Sequence, residues 1–249
     1  MMEIIYIMWR RQLKLYWRSK PRVLGSIAQP LLFLVALGFG FGPVFERAGG
    51  LDYIQFLTPG IVAMTILFGS MFSGMSLIWD RQFGFLKESL VAPVSRIKLL
   101  IGRTLGGTTI AVLQGTLVLI ISIFLGFRIE NGIILFPAVL FMFLISMFFT
   151  LLGTTIATQL EDMEAFPLIM NFLIMPIFFL SGALFPLKGL PASINFIAQI
   201  NPLSYGVDGL RIMLGGEGQF RLGFDFSIFF IITAVLLMIG SKLFERIQV

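Results

Sequence analysis

The sequence predicts an all-α integral membrane fold with six transmembrane helices, and three observations carry that prediction. The chain is 57% hydrophobic and only 12% charged over 249 residues, with a mean hydropathy of +0.97, whereas soluble domains carry about 25% charged residues. A chain this apolar cannot hide its nonpolar side chains in one water-soluble core. Six stretches are long enough to cross a hydrocarbon layer of about 30 Å, which takes about 20 apolar residues as helix. Lysine and arginine are spread unevenly over the segments between them, which fixes an orientation.

The N-terminal residues 1–22 read as an amphipathic helix. Ile5, Met8, Trp9, Gln12 and Tyr16 follow helical spacing, and Arg10, Arg11, Lys14 and Arg18 fall mainly on other faces. Such a helix suits the membrane interface, with its basic groups near lipid phosphates, either as a simple anchor or as a docking surface too. Basic residues are mixed through it, unlike the short basic start and apolar run of a signal peptide. The spans are expected at residues 23–45, 54–79, 99–127, 133–158, 165–185 and 224–244. The fifth is the least regular, because Pro167 and Pro176 interrupt its hydrogen-bond ladder.

Arg10, Arg11, Lys14, Arg18, Lys20 and Arg22 precede the first span. Arg81, Lys87, Arg96 and Lys98 lie between the second and third, with Arg103 just inside the third, and Lys242 and Arg246 lie at the C-terminus. The opposite segments hold only Arg47, Arg128, Lys188, Arg211 and Arg221. Both termini and the second-to-third link are therefore expected in the cytoplasm of a multi-pass protein of the cell membrane. The fourth-to-fifth link, with Glu161, Asp162 and Glu164, falls on the same side by parity.

Two connecting segments are unusual. Residues 80–97 mix Phe83, Phe85, Leu86, Leu90 and Val91 with Arg81, Lys87 and Glu88, and Pro93 ends a short helix there. A mere connection has no need of so many large apolar groups. They suit a protein contact, or else packing on lipid or on the bundle itself. Residues 185–211 contain Pro186, Pro191 and Pro202, too broken for one span and too apolar for a free loop. They are expected as two short external re-entrant helices. Asp208 and Arg211 stand three apart and can pair on a helix, more simply to fix the fold than to contact a substrate.

No expected span carries a central charged residue. Gln29, Gln114 and Asn171 more simply make helix-packing hydrogen bonds than a transport site. Gly69, Ser70, Ser73 and Gly74, and likewise Gly102 and Gly106, form small-residue stripes that let helices approach closely. Histidine and cysteine are both absent, which excludes disulfides, metal sites and nucleophile–base pairs built on them. No catalytic or metal-binding residue is expected, nor any nucleic-acid partner, and the chain reads as one transmembrane domain over residues 1–249 rather than an enzyme.

Two motifs resemble one family. NPLSYGVDGLR, Asn201 to Arg211 with Pro202, Tyr205 and Asp208, follows FPLKGLP, Phe185 to Pro191. The pair is similar to the closing signature of the type-2 ATP-binding cassette (ABC) exporter permeases. DRQFGFLKESLVAPVSR, Asp80 to Arg96, is similar to that family's cytoplasmic link, with its ending at Pro93, Val94, Ser95 and Arg96. The nearest branches are the antibiotic-resistance and nodulation-factor export permeases. The resemblance implies a half-transporter that pairs with a second copy or a close relative, in contact with membrane lipid, and is driven by two cytoplasmic ATPase subunits. It implies that Arg81, Phe83, Phe85, Leu86, Lys87, Glu88 and Leu90 make the ATPase-coupling helix, braced by the N-terminal helix. It places the route at the dimer interface along spans one, two and five, where Gln29, Met71, Met75, Asn171 and Phe178 fall.

Independently, no G-x-x-x-x-G-K-[ST] phosphate loop occurs, so ATP and Mg are expected on the partner and no cofactor on this chain. Three function classes compete: an ATP-driven exporter subunit, a gradient-driven secondary transporter, and a membrane enzyme or assembly factor. Proton coupling commonly uses an intramembrane acid or histidine, which disfavours a proton-driven form of the second and leaves sodium coupling through backbone carbonyls open; the lack of histidine, cysteine and clustered membrane acids disfavours the third. The expected function is outward movement of a hydrophobic or amphipathic compound, as in drug efflux and resistance, with a lipid-linked glycan as the alternative cargo.

The topology is directly testable, because the chain has no cysteine to remove. In intact cells a membrane-impermeant thiol reagent should label Ser193→Cys and leave Ser19→Cys untouched. Labelling of Ser19→Cys would invert the orientation.

Overall fold

The computed structural model describes residues 3–47, 52–91, 94–129, 132–160, 162–187, 191–216 and 218–245. Among these residues the regular elements are all helical. In order they are α1 (Glu3–Arg18), α2 (Lys20–Arg47), α3 (Tyr53–Gln82), α4 (Phe85–Val91), α5 (Arg96–Phe124), α6 (Leu135–Gln159), α7 (Ala165–Ile169), α8 (Met175–Phe179), α9 (Ala192–Ile200), α10 (Pro202–Met213) and α11 (Leu222–Glu245). Pro93, Glu161, Lys188 and Arg246 lie outside the described residues.

Five helices, α2, α3, α5, α6 and α11, are long and apolar enough to cross a membrane. The expected fifth span departs from this pattern. Its helical part covers residues 165–179, in which a π-helical stretch, Met170–Ile174, separates α7 from α8. At 1.5 Å per residue that is about 22 Å, less than a hydrocarbon layer of about 30 Å. Pro176 explains the interruption: it lacks an amide donor, and widened turns commonly absorb such a gap, whereas Pro167 sits in the first turn of α7, where a missing amide costs nothing.

Helix α3 is the axis of the bundle. It packs on α2, α5, α6 and α10, and Leu57, Ile61, Val62, Ile66, Leu67 and Met71 are fully buried along it. Around it α2 and α11 expose most of their apolar surface, as lipid-facing helices do. On the other side of α6, Phe141, Phe148 and Phe229 meet edge to face, with centroid separations of 5.7 and 5.8 Å at Phe229, a favoured aromatic geometry.

Close approach depends on the small-residue stripes. A Cβ on Gly74 would lie 2.3 Å from the carbonyl carbon of Gly153 on α6. One turn away the hydroxyls of Ser70 and Ser146 meet at 2.8 Å. The second stripe has an unexpected partner. Gly102 and Gly106 of α5 receive not another span but α1, whose Met8 and Gln12 Cβ atoms would sit 2.7 and 2.5 Å from added Cβ atoms. Contacts then climb together: Trp9 Nε1 donates to Thr109 Oγ1 at 3.0 Å and Gln114 Nε2 donates to the Tyr16 hydroxyl at 3.0 Å. Helix α1 therefore runs alongside the first half of α5 as part of the bundle. Met8, Gln12 and Tyr16, at spacing i, i+4, i+8, are its buried face.

Replacing Gly74 by leucine should force α3 and α6 apart, since the obstructing atoms are backbone. Overpacking of this kind costs about 1–3 kcal/mol. Thermal unfolding in detergent should fall by several degrees for Gly74→Leu and hardly at all for Gly40→Leu, where nothing lies within 4 Å of the added Cβ. Equal melting of the two variants would refute the packing account.

Candidate functional site

At the end of the bundle where α3 stops, three helices are joined through one carboxylate. Asp80, in the last turn of α3, accepts from Arg11 of α1 through both oxygens, Nη1 to Oδ2 at 2.8 Å and Nη2 to Oδ1 at 2.6 Å. Arg103 of α5 donates Nη1 to Oδ2 at 2.5 Å and Nη2 to Ser76 Oγ, one turn back on α3, at 3.3 Å. The Arg11 side chain is 29% exposed, that of Asp80 10% and that of Arg103 5%. Two cations share one anion, so the cluster carries a net positive charge. Planar guanidinium forks suit this geometry, since each engages a carboxylate at fixed angles. The hydrogen bond to Asp80 dominates over the opposing effect of burial and raises the pKa of Arg11, so the fork stays charged.

The same cluster reaches the link. Phe83 closes α3, its amide donating to Trp79 O at 2.9 Å, and Gly84 follows with φ +81. That conformation suits glycine and turns the chain at once into α4. Leu86 is 2% exposed and anchors α4 on the bundle, a burial worth about 1.5–3 kcal/mol. Phe83 and Phe85 are 74% and 54% exposed, Lys87 and Glu88 are exposed, and the Leu90 side chain lies outside the described residues. Arg11 also stacks over the Phe85 ring, 5.6 Å from its centroid, a cation–π contact. Arg81 donates to the carbonyl of Leu160 at 3.3 Å, tying the same turn to the end of α6.

Above this junction a cavity of about 830 Å³ opens between α1, α2 and α3. It gathers Gln29 and Met75 of the sequence-predicted pathway residues. It does not gather the other three. Met71 is fully buried, and Gly153 is packed against its backbone. Phe178 is 1% exposed and edge-on to Phe68 at 6.1 Å, and Asn171 is exposed in the π-helical stretch.

The opposite end holds the closing signature. Asn201 caps α10, accepting from Leu203 N at 3.0 Å while its amide donates to Ile177 O at 2.6 Å. Pro202 occupies the first turn of α10, where its missing amide costs nothing. The Tyr205 hydroxyl donates to Gln199 O at 2.5 Å, and its ring packs on Phe220. Asp208 and Arg211 do not form the ion pair their spacing allows. Asp208 instead accepts from the amides of Gln219 and Phe220 at 2.6 and 2.8 Å. Arg211 donates to Gly182 O at 2.9 Å and lies 4.1 Å from the centroid of the Phe56 ring. Two backbone amides satisfy a carboxylate as fully as one arginine does, and a flat guanidinium is well matched to an aromatic face. Asp208, Arg211 and Phe56 line a second cavity with Ser181, Ser204 and Gln55, of about 610 Å³. Among the described residues no group of three or more acidic, histidine or cysteine side chains is placed to hold a metal.

Sequence reasoning missed the Asp80 cluster as a unit. Its signal was present: a lone acid ends one span, a lone base begins the next, and the short link between them makes a hairpin that sets the two face to face. Arg11 left no comparable signal, because its role depends on where α1 docks.

The comparisons agree with this architecture. Residues 3–214 match the model of the ABC-2 type transporter family. The chain is 32% identical to the ycf38 transport permease of Cyanophora paradoxa over 247 residues, covering 92% of this chain and 83% of that one. It is 26% identical to Nodulation protein J of Rhizobium leguminosarum bv. viciae over 242 residues, 96% of this chain and 92% of the relative. The ycf38 transport permease of Porphyra purpurea is 33% identical over 203 residues, 78% of this chain and 68% of that one. The chain belongs to the ABC-2 type transporter family of membrane permeases.

Proposed function

We propose that this chain is the membrane subunit of an ATP-driven exporter, moving a hydrophobic or amphipathic compound outward with energy from a separate ATPase. The observation that carries the proposal is the junction at Asp80, where two exposed aromatic residues, Phe83 at the end of α3 and Phe85 at the start of α4, stand beside a charge cluster that joins α1, α3 and α5. The lysine and arginine distribution puts this end in the cytoplasm. There Phe83 and Phe85 offer the ATPase its contact, with Lys87 and Glu88 at the rim, while Leu86 faces inward and holds α4 to the bundle. A push on α4 then reaches α1 through Arg11 and Phe85, and α3 and α5 through Asp80 and Arg103. Such coupling needs two sites joined by a stiff element, and a buried charge cluster is stiff because separating its members is costly. Two copies of the chain complete the transporter, as closed two-fold assemblies commonly do, with ATP and Mg held by the partner.

Buried aromatic anchors carry much of the energy of a protein interface, about 2 kcal/mol or more when truncated, which is more than tenfold in affinity. Phe85→Ala and Phe83→Ala should therefore each cut ATPase co-purification and transport by more than about tenfold. Membrane insertion and the count of two permease chains by light scattering should be unchanged. Lys87→Ala should have a smaller, salt-sensitive effect. If the double phenylalanine variant binds the ATPase and transports normally, α4 is not the coupling element.

Removing Asp80 leaves two guanidiniums facing each other, one of them buried. The loss should be about 3–5 kcal/mol for Asp80→Ala, read as a large drop in melting temperature together with loss of transport. Arg103→Ala in that background should restore much of the stability but not the transport. Simple additivity of the two substitutions would show that the ion pair is not the source of the effect.

A further inference from the structure

The cavity beside α2 has a distribution of charge that the junction does not explain. Along α3 it runs from Met64 to Asp80, which is about 24 Å of helix. Its lining is mostly apolar throughout, with Met64, Phe68 and Pro30 toward one end beside Thr65 and Gln114, and Phe72 and Trp79 toward the other, where Arg11, Arg22 and Asp80 bring all of its charge. Asp80 is already engaged through both oxygens by Arg11 and Arg103. Arg22 is not matched in this way. Among the described residues it makes no ion pair, and its one hydrogen bond runs to Phe72 O at 3.4 Å. On the same face of α2, at i+4 and i+7, stand Ser26 and Gln29, both lining the cavity, and Gln29 makes no hydrogen bond within the described residues. Residues 23–45 carry no charge and make about 34 Å of helix. A membrane crossing by α2 therefore sets Arg22 at head-group depth.

We propose that this slot binds an anionic amphiphile, with its phosphate-like head on Arg22 and Gln29, beside Ser26, whose hydroxyl already donates to Val23 O and meets the Tyr16 hydroxyl, and its tail along Phe68 and Met64. An uncompensated guanidinium inside a mostly apolar cavity favours an anion, because the charge is poorly solvated there and its fork fits phosphate oxygens. The uncharged end favours a tail rather than a free ion, and a volume near 830 Å³ accommodates a drug-sized or single-chain portion of one. Gly25 also lines the slot, and nothing lies within 4 Å of a Cβ built there, so a larger side chain fits at this position. The inference names a cargo class for the exporter and rests on that reading only for the direction of movement.

The test is photo-crosslinking of the full chain, purified with its ATPase, in phosphatidylcholine vesicles. The probe is a phosphatidylglycerol with a diazirine in its acyl chain. Adducts should map by mass spectrometry to residues 64–72 of α3. Arg22→Gln should reduce them about tenfold, the usual scale of one lost charge-assisted hydrogen bond. Gly25→Phe should reduce them too by filling the slot without removing charge, and Arg22→Lys should retain part of the signal. The phosphatidylcholine version of the probe should label lipid-facing α11 but not the slot. Equal adducts in the wild type, Arg22→Gln and Gly25→Phe would overturn the proposal, as would equal labelling by the phosphatidylcholine probe. Full competition by inorganic phosphate would also overturn it, in favour of a free anion. Loss of ATPase co-purification with labelling intact would refute the exporter reading and leave the site standing.

Discussion

A single carboxylate fixes how the ends of three helices meet. Asp80 lies between Arg11 and Arg103, nearly shut off from solvent. Each of the two cations is tolerated in that position only because the anion is there. The pairing determines where α1 sits on α5 and where α3 ends. Through the turn at Gly84 it also determines where Phe83 and Phe85 emerge. In a bilayer the hydrophobic effect gives little force between helices. Specific electrostatics at the ends and close steric fit in the middle must therefore supply the geometry.

The middle is supplied by small residues. Gly74 against Gly153, and Gly102 and Gly106 against α1, bring backbones together at distances no side chain allows. Dispersion gains grow with the number of atoms in contact, so a glycine pair contributes by letting its neighbours touch. The two ends of the bundle are built differently. The Asp80 end is held by charges between side chains. The Asp208 end is held by side chains binding backbone, through the Asn201 cap, the Asp208 loop clasp and the Arg211 grip on Gly182. Irregular chain near a membrane has many free amides and carbonyls, and each must find a partner. The closing signature reads physically as a set of such partners.

The match between pattern and structure varied with the range of the interaction involved. The helices at α2, α3, α5, α6 and α11 agree closely with the expected spans, since each is set by its own run of apolar residues. The interruption of the fifth stretch was visible in Pro176, but its extent was not, because a local break says little about how far a helix resumes beyond it. The face of α1 was legible in the spacing of Met8, Gln12 and Tyr16; its seat on α5 was not. The i, i+3 spacing of Asp208 and Arg211 suggested a pair. That inference failed because the nearest competitors, the amides of Gln219 and Phe220 and the ring of Phe56, come from chain segments whose positions no spacing encodes.

By itself the sequence determined that this is a helical membrane protein of the ABC-2 type, because apolar length, charge distribution and the motif at Asn201 to Arg211 are all properties of contiguous residues. Only the tertiary structure decided which charges meet. Arg11, Asp80 and Arg103 are 69 and 23 residues apart in pairs, and their union depends on helix rotation and register. Met75 and Met71 look equivalent in the sequence as residues on one candidate span, yet one lines an open cavity and the other is sealed against Gly153. Which way a side chain points is set by the packing of neighbouring helices, and that packing is a property of the whole bundle.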